Sequence, residues 1–299
     1  MAGMRVLVAG GSGLIGSELR RQLVDAGHEV LRLVRHEPEE ADDFHWSPET
    51  RMIDVALMDR ADAVVNLSGA SLNRLPWTAA HKRRIRSSRL DATTTLTDAM
   101  RQAANPPAVF VSASAVGFYG DQPGKTLTEE SAKGTGFLSD VVEAWEAAAH
   151  LAPERTRVVT ARTGVVIGPG GAMAPLLPMA RLGLLGPIAG GGQNWPWVSL
   201  RDEAAALVHL LTSELTGPVN LVGPTPATAG TVLRALAAAV HRPYRLPLPE
   251  FAVKAALGEA GRELLLASQR VVPKRLLADG FAFRDETVAE AMTELVAAR

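Results

Sequence analysis

The stretch from Val6 to Gly16, V-L-V-A-G-G-S-G-L-I-G, restricts this chain more than any other. An apolar run ends in a turn of small residues, and a helical pattern begins near Leu14. Gly10, Gly13 and Gly16 stand three apart. In a strand-to-helix turn the first lets the chain fold back, the second brings bare backbone close to a pyrophosphate, and the third lets the helix pack on the strand. Such a turn aims backbone N–H groups and the positive end of a helix dipole at an anion. The spacing predicts a dinucleotide site with Gly10, Ser12, Gly13, Leu14, Ile15 and Gly16 around the phosphates. The alternative is a glycine-rich turn that binds nothing.

The helix carries Leu19 and Leu23 inward, stops at Gly27, and gives way to a second strand from Glu29 to Val34 that ends at Arg35. An acidic side chain here would bond the adenosine ribose hydroxyls, whereas a cation favours a 2′-phosphate. A guanidinium fits phosphate through its fork of donors. Arg35 therefore predicts NADP(H) in preference to NAD(H). The other reading leaves Arg35 solvated and gives the ribose to Glu37.

Farther along, Ala63 to Leu67 forms a strand whose end, Leu67-Ser68-Gly69, fits a backbone passing beneath the adenosine side of the cofactor. The pattern from Trp77 to Met100 is helical, with Lys82, Arg86 and Arg89 on one face. Lys82 and Arg89 are candidates for holding a substrate anion, against the plainer reading of a solvated face. A buried strand, Ala108 to Val111, leads into S-A-S-A-V-G-F-Y-G from Ser112. At this carboxyl end Ala113 would face the cofactor, and Ser114 would hydrogen-bond a reacting oxygen, unless both serines are plain turn residues.

The helix from Phe137 to Leu151 places Val141, Val142, Trp145 and Ala148 at core spacing. Val158 to Ala161 is a strand ending at Arg162. Beyond Ala172 a Pro-, Gly- and Leu-rich passage to Trp197 reads as an irregular wall, with Gln193, in a flexible turn, counted on the substrate side. A helix (202–211), a short strand (219–222) and a helix (228–239) follow. The whole reads as α/β, a Rossmann-type doubly wound parallel sheet. Residues 1–167 form the nucleotide-binding part, with return elements from about 197–223, and 168–299 form a smaller C-terminal α/β substrate region.

Composition narrows the function. A net charge of -1 over 299 residues gives no global reason to expect nucleic acid. Without cysteine there is no disulfide, thiolate metal site or thiol nucleophile, and His45 has no second ligand at metal spacing. The first strand starts near Met4, which leaves no room for a signal peptide and makes a cytoplasmic address the expectation. No apolar run reaches the length of a membrane span, so no membrane partner is expected. A second copy of the chain is kept open as a partner.

The opening A-G-G-S-G-L-I-G, the V-V-N-L-S-G strand end, S-A-S-A-V-G-F-Y-G and A-R-T-G-V-V-I-G-P-G-G together resemble the extended short-chain dehydrogenase/reductase superfamily. R-L-P-W-T-A-A-H-K from Arg74, S-R-L-D-A-T from Ser88, Trp145-Glu146 and the tail S-Q-R-V-V-P-K-R-L-L-A-D-G-F-A-F from Ser268 are similar to its NAD(P)-dependent epimerase/dehydratase-like subgroup. The resemblance covers nearly the whole chain. It implies a parallel sheet of about seven strands and a Ser/Thr–Tyr–Lys catalytic set, with Ser114 as its serine. The chain departs from that set. Pro123 and Leu248 stand four residues beyond Tyr119 and Tyr244, so no Y-x-x-x-K exists. If Glu146 aligns with the glutamate that often follows the motif, Leu138 and Val142 take the Tyr and Lys positions.

A tyrosine without that lysine, at its reference pKa of about 10, is a poor base but still a proton donor to a developing alkoxide. The expectation is an NADP(H)-dependent oxidoreductase or epimerase-like enzyme using Ser114 and Tyr119 on a small carbonyl, hydroxyl or nucleotide-sugar-like substrate. The alternative is a weak or inactive NADP(H)-binding sensor or scaffold.

Overall fold

The computed structural model describes residues 3–297. The first half runs β1 (Arg5–Ala9), α1 (Leu14–Asp25), β2 (Glu29–Val34), β3 (Asp43–His45), α2 (Ala56–Arg60), β4 (Ala63–Asn66) and α3 (Ala79–Gln102). Next come β5 (Val109–Ala115), the short β6 (Thr126–Leu127), α4 (Phe137–Ala149), β7 (Arg157–Thr163), β8 (Val165–Ile167) and α5 (Met173–Arg181). The chain continues through β9 (Trp197–Ser199), α6 (Leu200–Thr212), β10 (Gly217–Leu221), α7 (Ala229–Ala239) and α8 (Glu250–Gly261). It closes with β11 (Arg270–Val271), α9 (Lys274–Ala278) and α10 (Val288–Ala297).

Seven strands form one parallel sheet in the order β10-β7-β5-β4-β1-β2-β3. Alternation along β1 shows how it is covered on both sides. Val6 and Val8 pack with Leu19 and Leu23 of α1 and Leu207 and Leu210 of α6. Leu7 and Ala9 face the other way, into a core with Leu96 and Met100 of α3. Strand order reverses between β1 and β4, which opens the crevice where doubly wound sheets take ligands. A separate core around Met173, Leu177, Trp195, Trp197, Leu236 and Met292 holds the remaining elements together.

The structure differs from the sequence expectation at three places. The polar passage before Trp46 ends in a strand, β3, because the Asp43 carboxylate meets the Arg32 guanidinium of β2 at 2.5 Å. An ion pair stands there in place of apolar alternation. The expected irregular wall begins with a helix, α5, in which Pro175 and Pro178 hide the signal while Met173, Leu177 and Ala180 turn inward. Finally, β5 runs on to Ala115, so Ser112 and Ser114 are both strand residues, in register with Thr160 and Arg162 of β7.

Candidate functional site

The glycine turn is tight for reasons visible atom by atom. Gly10 has φ +82°, and a Cβ there would lie 2.8 Å from the Leu67 carbonyl carbon. At Gly16 a Cβ would fall 2.2 Å from the Gly10 carbonyl oxygen. Neither position accepts a side chain without moving backbone. Gly13 is the N-cap of α1; no side chain caps the helix and no acid stands in its first turn. Its first N–H groups, at Leu14, Ile15 and Gly16, remain available to an anion beside the exposed Ser12.

Arg35 follows the last residue of β2 and is exposed, with Glu37 exposed two residues on. At the end of β4, the Asn66 amide donates to Thr93 Oγ1 at 3.0 Å and its oxygen accepts the Ser68 N–H at 3.1 Å, which shapes the Leu67-Ser68-Gly69 turn. Arg89 reaches this turn from α3. Its guanidinium donates to the carbonyls of Ile85 and Ala70 at 2.9 and 3.2 Å and lies 5.1 Å from the Trp145 ring centre. Burial pulls its pKa down to about 10. Among the described residues no carboxylate pairs with it.

Ala113 is half-buried at the end of β5, and Ser114 beside it is buried. The Ser114 hydroxyl donates to Glu146 Oε1 at 2.5 Å. Arg162 grips the same carboxylate through two bonds of 2.8 Å. A third guanidinium nitrogen donates to the Tyr119 hydroxyl at 3.0 Å, and Tyr119 donates in turn to Asn220 Oδ1 at 2.7 Å. The guanidinium also stacks 3.6 Å from the Phe118 ring centre. Tyr119 is fully buried, and burial pushes its hydroxyl pKa up. Its proton is committed to Asn220, so it ties β7 to β10 and does not open toward the crevice.

The two remaining substrate candidates are also engaged within the protein. Lys82 bonds both oxygens of Glu259, at 2.7 and 2.8 Å, and sits 4.4 Å from the Phe137 ring centre. The Gln193 amide donates to the Leu265 carbonyl at 2.9 Å. Neither lines the cavity of about 310 Å³ that opens between Gly117, Gly120 and Leu138 on one side and Arg262, Glu263 and Gln269 on the other. Glu263 bonds the N–H groups of Phe137 and Leu138 at 2.8 and 2.7 Å, capping α4, while burial pushes its carboxyl pKa up. Leu138 packs 3.2 Å from the Cβ position of Gly117, with Val142 at 3.9 Å, so the surface expected to carry a Tyr and a Lys is apolar.

Sequence reasoning named Glu146 only as part of a family signature and missed its bonds to Ser114 and Arg162, and it missed Asn220 and Glu263. The signal available for the first was Arg162, an arginine ending a buried strand, which requires a buried acid. Asn220 and Glu263 left no local signal, because each acts across more than a hundred residues. Among the described residues no group of His, Asp or Glu could hold a metal ion, and no helix is long and apolar enough to cross a membrane.

A parallel sheet with a glycine turn and an uncapped helix at its switch point defines a Rossmann-type nucleotide-binding fold. More specifically, the chain belongs to the NAD dependent epimerase/dehydratase family, which it matches over residues 6–240, and a domain of unknown function (DUF1731) follows over residues 248–295. It is 41% identical to an epimerase family protein of Mycobacterium bovis over 98% of this chain and 97% of that one. The human epimerase family protein SDR39U1, solved with NADPH, superposes with a TM-score of 0.90 at 34% identity, over 98% of this chain and 99% of that one. A nucleoside-diphosphate sugar epimerase from Corynebacterium glutamicum gives 0.81 at 30% identity, over 99% of this chain and 59% of the other.

Proposed function

We propose that this protein is an NADP(H)-dependent oxidoreductase acting on a small carbonyl or hydroxyl compound. The observation that carries the reading is the pairing of an uncapped α1 with an exposed guanidinium one residue past β2. Gly10, Ser12, Gly13, Leu14, Ile15 and Gly16 would hold the pyrophosphate, and Arg35 the 2′-phosphate. Leu67, Ser68 and Gly69 would support the adenosine half, with Ala113 toward the nicotinamide. The NADPH found with the human relative is consistent with that preference. When bound, the dinucleotide supplies or accepts a hydride.

Ser114 would meet the reacting oxygen. Because its proton is directed to Glu146, Ser114 would meet the hydroxyl form of a substrate as an acceptor. Arg162 fixes that direction by holding Glu146 from the other side. Arg89 remains the cation available to an anionic group near the Gly69 turn. Tyr119, Lys82 and Gln193 act on this reading as positioning residues: Tyr119 links β7 to β10, Lys82 links α3 to α8, and Gln193 holds the 262–266 turn.

A second reading is a protein that binds NADP(H) without turnover. It is favoured by the apolar pair Leu138 and Val142 and by the closed network around Tyr119. Both readings require the same dinucleotide site, which Arg35→Asp tests. Calorimetry is expected to show NADPH affinity falling roughly tenfold or more, in line with a lost charged hydrogen bond, and NADH affinity nearly unchanged. Equal losses for both dinucleotides would remove Arg35 from the site.

A further inference from the structure

We propose that an apolar ribbon on the smaller half of the protein docks on an anionic lipid surface. The argument begins with α5, whose sequence M-A-P-L-L-P-M-A-R holds no charge before Arg181. Met173, Leu177 and Ala180 are buried, yet Pro175, Pro178 and Met179 face outward, and Leu182 continues that face with 73% of its surface exposed. A helix that is apolar on all sides is normally covered on all sides.

The chain after α5 extends the face. Residues 185–188 run parallel to 244–248, joined by bridges from Leu185 to Tyr244 and from Ile188 to Leu248. Leu185 and Ile188 turn inward, whereas Leu184, Leu246 and Leu248 are exposed. Three residues past Leu248, at the start of α8, Phe251 is 75% exposed. Isolated exposed leucines need no explanation, but exposed apolar side chains gathered on segments that are joined side by side mark a contact surface.

Charge selects the occupant. Arg181, Arg242 and Arg245 are exposed along the same ribbon, and Arg242 donates to the Arg181 carbonyl at 2.9 Å. Among the described residues none of the three is in an ion pair, and the nearby acid Glu250 is taken by Lys254 at 2.5 Å. A second copy meeting this face two-fold would bring two arginine-rimmed patches together. Protruding apolar side chains rimmed by arginines fit a negatively charged lipid surface, where each cation adds attraction and the apolar groups enter the headgroup boundary. Such contact needs no membrane span.

Vesicle co-sedimentation of the full-length protein tests this, comparing phosphatidylcholine alone with phosphatidylcholine containing phosphatidylglycerol. The protein is expected to sediment with the anionic vesicles only, and less at high salt. Leu182→Ser with Phe251→Ser should release it, and Arg181→Ala with Arg245→Ala should weaken partitioning roughly tenfold or more, both pairs keeping the wild-type unfolding midpoint. Absence of sedimentation, or equal binding to neutral vesicles, would overturn the proposal. So would a solution dimer that Leu182→Ser with Phe251→Ser splits, since a second copy would then cover the face.

Discussion

Arg162→Leu is expected to destabilise the protein by about 3–5 kcal/mol, the usual effect of removing one partner from a buried ion pair. The variant leaves the Glu146 carboxylate, buried at the level of Ser114, without the two 2.8 Å bonds that hold it. It also removes the donor to Tyr119 and the cation over the Phe118 ring. Urea unfolding checks this through a lowered midpoint with an unchanged slope. The double variant Glu146→Leu with Arg162→Met should recover much of the loss, because an apolar pair of similar volume carries no unpaired charge. Losses of the single variants Glu146→Leu and Arg162→Met that simply add in the double would show that the two groups are not coupled.

Glu203 gives the second large effect, with a definite pH sign. Its side chain is fully buried on α6, one carboxyl oxygen accepts the Thr163 hydroxyl at 2.7 Å, and the other has no partner among the described residues. Burial raises its pKa from 4.5 to about 8. The folded state therefore keeps a proton that the unfolded chain releases above the ordinary glutamate range. Stability from this group is fully present below pH 4.5 and falls by roughly 1.4 kcal/mol per unit until the pH passes about 8. Glu203→Gln abolishes that slope. It should match the wild type near pH 4.5 and exceed it by on the order of 4 kcal/mol at pH 8, read from urea midpoints across the range. A variant with the wild-type slope would show that Glu203 is ionised in the folded protein.

What the sequence made legible follows from locality. The glycine turn, α1 and the first two strands are set by neighbours within a few residues, so spacing alone reveals them. The place of Ser114 near the carboxyl end of β5 was accessible, since position along a parallel strand predicts which edge a residue occupies, although the strand runs further than its apolar stretch. The roles of Tyr119 and Lys82 were not accessible. Tyr119 is read from sequence as a free hydroxyl next to a reactive serine, yet Asn220, a hundred and one residues away, receives its proton. Lys82 looks like one cation in a basic run until Glu259, a hundred and seventy-seven residues on, neutralises it. Such partners belong to the tertiary fold, and no period in the sequence encodes them. α5 was hidden for a local reason: its two prolines outweigh a correctly spaced apolar face.

The apolar surface at Leu138 and Val142 gives the departure from the Tyr–Lys set a structural form. Glu263 caps α4 at that place, and the C-terminal segment closes over it through the Lys82–Glu259 pair and the Gln193 bond to Leu265. The segment following the nucleotide-binding fold thus forms one wall of the cavity beside Gly117.

Calorimetric titration of the purified wild-type protein with NADPH and, separately, NADH tests the central claim most directly. Saturable one-site binding of NADPH, with NADH at least roughly tenfold weaker, is the predicted result. Absence of heat with either dinucleotide, or tighter binding of NADH, would contradict the assignment of the α1 turn and Arg35.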